Sequence, residues 1–184
     1  PAMPTLQRRP VLTLLGCAAL WPLQLVAQPS APPWREALGA VQPLGEGVFR
    51  WFGLPVYTAR LWSGQRPFNP DAPFALELTY HLGIRRAQFI NTSADEMQRL
   101  GALAPDAPQL LRWRTLMAEA FTDVEAGDQL VGVYLPGQGA RFYNRSRRLA
   151  TLDDPAFAQA FFAIWLDPRT RDAALRRQLM GAAP

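Results

Sequence analysis

The clearest hydrophobic pattern in the chain is an alternation over residues 74–82. Phe, Leu, Leu, Tyr and Leu at the even positions alternate with Ala, Glu, Thr and His at the odd positions. A period of two puts one face of a strand on a core and the other face toward solvent or a partner layer. This half-buried pattern is typical of an antiparallel sheet.

Other segments also have strand character. Residues 48–52 and 54–62 are rich in aromatic and β-branched residues, and Gly53 stands between them. Because so few turn-forming residues separate the two runs, we expect a bend or bulge at Gly53 rather than a hairpin. Three more strands are predicted over residues 128–135, 140–144 and 149–152, with a hairpin turn joining the first two.

Apolar residues recur at helical spacing between the third and fourth predicted strands, and again near the C-terminal end. The Asp154-Pro155 pair predicts a helix start, because Asp is favoured as N-cap and Pro at the first helical position. Strands precede and follow the helices without βαβ alternation, so the predicted class is α+β. The predicted helices cover residues 85–100, 107–121 and 170–180, with another beginning at Asp154-Pro155. Residues 34–41 fit either a short helix or an ordered lead-in.

Residues 1–27 have the three parts of a secretory signal peptide. Two arginines supply a positive start, residues 11–20 are apolar, and a small residue ends the segment. The apolar run falls short of the ~20 residues that span a bilayer, so the processed chain is not expected to be transmembrane. We therefore expect a periplasmic or secreted protein. The sequence Leu-Leu-Gly-Cys ending at Cys17 leaves a lipid anchor on that cysteine as an alternative.

Composition narrows the classes of function. All 19 basic residues are arginines, and the 17 outside the signal peptide face 15 acidic residues. This small excess gives no electrostatic footprint for nucleic acid. Cys17 and His81 are the only Cys and His, so no disulfide, metal site or Cys/His pair is expected, and no cofactor is predicted. Beyond the signal peptide we expect a lead-in over residues 28–44 and one domain over residues 45–181.

Seven segments of the chain form a series of spaced motifs: RWFGLPVYTARLW at 50–62, LELTY at 76–80, VYLPG at 133–137, FYN at 142–144, DPAFA at 154–158, FAIWLDP at 162–168 and LRRQLMG at 175–181. The series extends over about residues 45–181, nearly all of the mature chain. In sequence and in order, these motifs resemble those of bacterial chalcone isomerase-like proteins.

The resemblance implies an open-faced β-sandwich, in which a large antiparallel sheet carries a layer of helices on one face and a ligand cleft lies between them. Plant chalcone isomerases close a flavanone ring. An arginine steers the phenoxide, and Thr, Tyr and Asn groups stabilise the enolate. Arg50 is the candidate for that arginine. Phe52 stands where the plant enzymes have Thr, and the helix over residues 85–100 offers Asn91 and Thr92 but no Tyr.

The leading functional hypothesis is a non-catalytic binder of a small amphipathic anion, either a fatty acid or a phenolic compound. The resemblance supports it, because plant members of this fold resemble fatty-acid carriers. Arg50 would pair with the anionic group, since a guanidinium binds carboxylates through two parallel hydrogen bonds. The candidate ligand-binding residues are Arg50, Tyr57, Tyr80, Asn91, Thr92 and Trp113, and no catalytic residue is assigned.

Two other functions stay open from the sequence. One is an intramolecular lyase acting on a chalcone-like substrate, which needs a cation, an ordered water and one hydroxyl. The other is an envelope interaction or assembly factor without a small ligand. The arginine pairs at 147–148 and 176–177 could contact anionic lipid or a partner in that case. We expect a monomer.

Overall fold

A computed structural model describes residues 31–104 and 107–182 of the chain. The predicted signal peptide, residues 1–27, and the alternative anchor residue Cys17 lie outside the described residues. In the described part, no helix combines the length and the apolar character needed to cross a membrane.

Among the described residues, six antiparallel strands form one sheet, in which each strand pairs with its neighbours in chain order. β1 begins at Gln42, earlier than the predicted residue 48, because the polar and glycine-rich start of the strand pairs with β2 as far as Ser63. The end of the predicted lead-in therefore belongs to the sheet. The strands are β1 (Gln42–Trp51), β2 (Leu54–Ser63), β3 (Phe74–Tyr80), β4 (Gln129–Leu135), β5 (Gly139–Tyr143) and β6 (Arg148–Leu152).

In the part of the chain that the structure describes, four α-helices pack on one face of this sheet, which confirms the predicted α+β class and the open-faced arrangement. Two of them connect β3 to β4, and the other two follow β6. Asp154 caps the third helix as predicted, because its Oδ1 accepts a hydrogen bond from the Phe157 backbone N–H at 2.9 Å. The helices are α1 (Arg86–Arg99), α2 (Pro108–Ala120), α3 (Pro155–Leu166) and α4 (Ala173–Leu179), and a 3₁₀ helix (Pro33–Ala37) precedes β1.

The two faces of the sheet are buried to different extents. On β3, Leu76 and Tyr80 point into the main core beneath the helices, as the alternation predicts. Ala75, on the opposite face, belongs to a smaller cluster in which Trp34 of the 3₁₀ helix packs edge-on against Trp62, with ring centroids 5.2 Å apart. Within residues 31–104 and 107–182, one short helix therefore covers part of this second face.

The connection between β1 and β2 is a hairpin, so the prediction of a bend at Gly53 is wrong. Trp51 pairs with Leu54, and the two residues between them form the turn. Phe52 has φ 47° and Gly53 has φ 80°, as in a type I′ turn. The Phe-Gly pair did not indicate a hairpin, because type I′ turns prefer Asn-Gly or Asp-Gly and Phe is rare in the left-handed region.

The C-terminal helix α4 lies against two glycines of β1. A Cβ atom on Gly45 would stand 1.9 Å from the Gln178 carbonyl oxygen and 2.6 Å from that of Leu179. A Cβ atom on Gly47 would meet the side chains of Gln178 and Leu175. The Gly-Glu-Gly sequence therefore lets the end of a helix touch the backbone of a strand, which no residue with a side chain would allow.

We expect Gly45→Ala to destabilise the protein, because two backbone carbonyls cannot move aside as a flexible side chain can. Overpacking of this kind costs about 1–3 kcal/mol or more. The loss should appear as a lower midpoint in urea unfolding followed by circular dichroism. Gly83→Ala is the matched control, since its Cβ would lie 3.4 Å from the nearest atom, an ordinary contact. Equal losses in the two variants would contradict close packing of α4 on β1.

Candidate functional site

A cavity of about 510 Å³ lies between the sheet and the helical layer. Strands β1 and β2 and the residues that follow β3 form one side of it, while α1, α3 and the beginning of α4 form the other. Small-molecule sites commonly have volumes of about 300–1,000 Å³, so this cavity has the size of a ligand site.

Most of the cavity wall is aromatic or aliphatic. The ring of Phe49 stacks on that of Tyr57, with centroids 5.0 Å apart, and Trp165 contributes its indole from α3. Such walls offer water few hydrogen-bond partners, so they favour binding of the apolar part of a ligand. The apolar and aromatic lining residues are Phe49, Trp51, Leu54, Val56, Tyr57, Leu82, Ile84, Phe89, Ile164, Trp165 and Leu175.

The mouth of the cavity is marked by the lining residues that remain exposed to solvent. Trp51 and Leu54, on either side of the hairpin turn, are 57% and 65% exposed. Across from them are polar side chains of α1 and of the segment before α4. The exposed lining residues are Trp51, Leu54, Gln88, Thr92, Asp95 and Arg171, with Gly83 among them on the backbone side.

Arg171 provides the one guanidinium among the described residues that line the cavity. Its Nε lies 2.5 Å from Oε1 of Glu96, while Arg99 donates two hydrogen bonds to the other oxygen, Oε2, at 2.9 and 3.0 Å. Glu96 thus holds two arginines and would keep one if Arg171 turned toward a ligand. The side chain of Arg171 is 63% exposed, so it is free to make that movement.

Two local hydrogen bonds fix the segment that carries Arg171. The Thr170 hydroxyl donates to the carbonyl oxygen of Ile164 at 2.7 Å, which folds the chain back on the end of α3. Asp172 caps α4 by accepting from the Leu175 backbone N–H at 2.8 Å. Arg171 therefore lies between two anchored residues, at the edge of the cavity.

Inside the cavity, the hydroxyl of Tyr57 accepts a hydrogen bond from Nε1 of Trp165 at 3.0 Å. Burial raises the pKa of Tyr57 far above its usual value. The Trp165 hydrogen bond opposes that increase, and the Asp172 carboxylate adds to it. The phenol is therefore neutral at physiological pH, and its own proton is available to an acceptor on a ligand.

A smaller cavity of about 180 Å³ lies on the other side of Ile84 and Phe89, which line both spaces. Tyr80 lines this smaller cavity, and its hydroxyl is buried without a hydrogen-bond partner among the described residues. Burial, with a further contribution from Tyr57, raises the pKa of Tyr80 far above its usual value. The Tyr80 hydroxyl is thus also neutral at physiological pH.

The structure places the six candidate ligand-binding residues in different parts of the protein. Tyr57 and Thr92 line the large cavity, and Tyr80 lines the adjacent small one. Asn91 is exposed, and its side-chain oxygen accepts a hydrogen bond from Arg114 on α2 at 2.7 Å, so it links two helices.

Trp113 also lies away from the cavity, in the main core. Only 1% of it is exposed, and its Nε1 donates to Oδ2 of Asp154 at 3.1 Å. This hydrogen bond ties α2 to the N-terminal cap of α3. Trp113 is therefore placed to support the helical layer rather than to touch a ligand.

Arg50, the residue expected to pair with the anionic group of a ligand, is not among the residues that line the large cavity. Its neighbours Phe49 and Trp51 both line the cavity, and successive side chains of a strand point to opposite faces. Arg50 is exposed, and its Nη1 donates to the Gly53 carbonyl oxygen across the hairpin at 3.2 Å. An anionic group in the cavity would meet Arg171 instead.

The sequence analysis did not identify Arg171, Phe49 or Ile164 as residues of the cavity. The sequence contained a local pattern for only some of these positions. The alternation rule could have excluded Arg50 once Phe49 was assigned to the core face. Arg171 carries no comparable signal, because it reaches the cavity through the fold of a loop rather than through a regular element.

The site as a whole is suited to binding. It combines apolar walls with a neutral phenol inside and a guanidinium at the rim. Across residues 31–104 and 107–182, no three His, Cys, Asp or Glu side chains converge as metal ligands. The hydroxyls that line the large cavity, besides Tyr57, belong to Thr92, Ser93 and Thr170.

Comparisons with known proteins concern the whole domain. The sequence model of a family described as chalcone isomerase-like matches residues 45–181. Among solved structures, the chain is similar to a fatty-acid binding protein of Arabidopsis thaliana, with 11% identity and a TM-score of 0.59 over 78% of this chain and 88% of that one. At this identity the likeness shows the fold alone. No curated protein matches the chain in sequence.

Tyr57 and Tyr80 should respond differently to loss of the hydroxyl. Tyr57→Phe removes the acceptor of Trp165 Nε1, and an unpaired buried donor costs about 1–3 kcal/mol. Tyr80→Phe removes a hydroxyl that has no partner among the described residues, so we expect unchanged or slightly increased stability. Urea unfolding of both variants measures the difference. A larger loss for Tyr80→Phe than for Tyr57→Phe would contradict these hydrogen-bond assignments.

Proposed function

Because the chain belongs to the chalcone isomerase-like family, we propose that it is a non-catalytic binding protein for a small amphipathic anion. The observation that carries the proposal is the cavity of about 510 Å³ with apolar walls and one arginine at its mouth. The fatty-acid binding protein of the same fold adds support, and makes a fatty acid the first ligand to test, ahead of a phenolic anion.

The apolar walls would supply most of the affinity. Each methylene that leaves water contributes about 0.8 kcal/mol, and about 1.4 kcal/mol changes an equilibrium constant tenfold. Affinity should therefore rise steeply with the chain length of a ligand until the cavity is full. An aromatic ligand would use the same walls through Phe49 and Trp165.

The guanidinium of Arg171 favours one orientation of the ligand, with the apolar chain inside and the anionic group at the mouth, while the carboxylates of Asp95, Glu96 and Asp172 also line the cavity. The carboxylate of Asp172, which also lines the cavity, acts on Tyr57 strongly enough to raise its pKa, so an anion placed beside Tyr57 would be repelled. At the mouth, Arg171 can offer its Nη atoms to a carboxylate. Its present partner Glu96 would stay paired with Arg99.

The isomerase alternative has less support. Phe52, which stands where the plant enzymes have Thr, is 91% exposed at the tip of the hairpin and does not line the cavity. Arg50 points away from it as well. The alternative of an assembly factor without a small ligand would be favoured by a cleft filled with side chains, whereas this cleft is open.

Ile164→Trp should block ligand binding, because a larger side chain on α3 would occupy the cavity. We expect the affinity for dodecanoate, measured by isothermal titration calorimetry, to fall at least about tenfold, the effect of excluding two methylenes. Leu111→Trp is the matched control, since Leu111 is 71% exposed on α2 and does not line the cavity.

Two results would reject the binding function. One is an absence of dodecanoate binding by the unmodified protein. The other is equal affinity of Ile164→Trp and Leu111→Trp while both remain folded by circular dichroism, because the ligand would then lie outside this cavity.

Arg171→Gln should remove the preference for an anionic group. An exposed ion pair contributes about 1 kcal/mol or less and a charged hydrogen bond about 1.5–3 kcal/mol, so we expect dodecanoate to bind roughly five- to tenfold more weakly. Binding of dodecanol should not change. Arg50→Gln is the control, because Arg50 does not line the cavity. A larger effect from Arg50→Gln would return the anion-binding role to Arg50.

A further inference from the structure

The tip of the β1–β2 hairpin exposes an unusual concentration of apolar side chains. Trp51, Phe52 and Leu54 are 57%, 91% and 65% exposed, and they stand around the turn residue Gly53. A single exposed apolar residue is ordinary, but a contiguous group marks a surface that meets an apolar partner. We call residues 51–54 the hairpin tip.

The sequence of the tip works against the stability of the hairpin. A type I′ turn is best served by Asn at the position of Phe52, which has φ 47°. A bulky residue in the left-handed region is a genuine outlier. Among the described residues, the ring of Phe52 packs only on the adjacent Trp51, with centroids 5.1 Å apart. The fold therefore gains little from this phenylalanine.

We propose that the hairpin tip docks the protein on a lipid bilayer whose surface is anionic. The tip is convex and consists of three large apolar side chains, whereas a stable protein partner would need about 800 Å² on each side. Aromatic side chains, tryptophan above all, are enriched at the boundary between lipid head groups and acyl chains. A projecting aromatic turn suits insertion into that boundary better than it suits a groove on a protein.

The charge at the base of the tip fits the same partner. Arg50 holds its guanidinium over the turn through the hydrogen bond to the Gly53 carbonyl oxygen. No carboxylate among the described residues lies within ion-pair distance of Arg50. A basic side chain close to an anionic bilayer adds about 1 kcal/mol of attraction. Arg50 could therefore meet a lipid phosphate while the tip enters the head-group region.

Docking in this way would place the cavity against the membrane. Trp51 and Leu54 belong both to the hairpin tip and to the mouth of the cavity, so insertion of the tip brings the mouth to the bilayer surface. An amphipathic ligand could then pass between bilayer and cavity with its apolar chain shielded from water. This consequence rests on the proposed function, whereas the docking itself does not.

Phe52→Asn gives a sharp test, because Asn-Gly is the preferred pair for this turn and the variant should fold at least as well as the original. Flotation of the full chain with vesicles of phosphatidylcholine and phosphatidylglycerol at 7:3 measures docking. We expect Phe52→Asn to bind about tenfold more weakly, the effect of losing one inserted phenylalanine. Leu111→Gln removes an exposed leucine elsewhere and should bind as the unmodified protein does.

A second readout is made in a Trp21→Phe background, because Trp21 is the tryptophan of residues 1–27 and its removal prevents binding through that segment from obscuring the result. Brominated acyl chains quench tryptophans that enter a bilayer. We expect quenching that disappears in Trp51→Phe, and weaker vesicle binding both for Arg50→Gln and when phosphatidylglycerol is left out. Trp51 fluorescence that brominated lipid leaves unchanged, or equal binding of Phe52→Asn and the unmodified protein, would overturn the proposal.

Dodecanoate titration without vesicles separates this proposal from the binding function. Phe52 does not line the cavity, so Phe52→Asn should keep the affinity of the unmodified protein for dodecanoate. Loss of vesicle binding with ligand affinity intact supports docking by the tip. Vesicle docking in a protein that binds no dodecanoate would sustain this proposal while rejecting the binding function.

Discussion

The close contact between α4 and the glycines of β1 is the constraint on which the cavity depends. Two carbonyls at the end of α4 occupy the place of a side chain at Gly45, and the side chains of Gln178 and Leu175 occupy the place of one at Gly47. The first turn of the helix then closes one side of the cavity with Leu175, and the residue before its cap is Arg171. Side chains at the two glycine positions would push this wall, and its arginine, away from the sheet.

The polar groups of the cavity lie in two places, inside and at the rim, and this arrangement favours one orientation of an amphipathic ligand. Inside, the Tyr57 hydroxyl accepts the hydrogen bond that Trp165 Nε1 donates, in a nearly apolar space. At the rim, Glu96 and Arg171 form an ion pair that is open to solvent. An amphipathic molecule matches this order only when its apolar part enters first. The exposed aromatic tip of the hairpin at the same rim extends the apolar path outward, toward the place from which such a molecule would come.

Regular elements with strong local sequence patterns could be predicted, because the burial and capping that produce the pattern also stabilise the element. The alternation over residues 74–82 became β3 with one face in the core, since burial of every second side chain is what holds a strand on a helical layer. The Asp154-Pro155 pair opens α3 because its cap needs only atoms within one turn. The hairpin at Phe52 could not be predicted, because pairing along two long strands imposes a turn that the local sequence disfavours.

By itself, the sequence determined the α+β class, the order of the elements and the family, since these follow from periodicity, capping residues and spaced motifs along the chain. It also named Tyr57 and Thr92, which do lie on the cavity wall. Only the tertiary structure decided which arginine faces the cavity. Arg50 is turned outward by the alternation of its strand, whereas Arg171, far away in sequence, is brought to the mouth by the docking of α4. That outcome depends on the meeting of segments more than a hundred residues apart, and no local pattern encodes it.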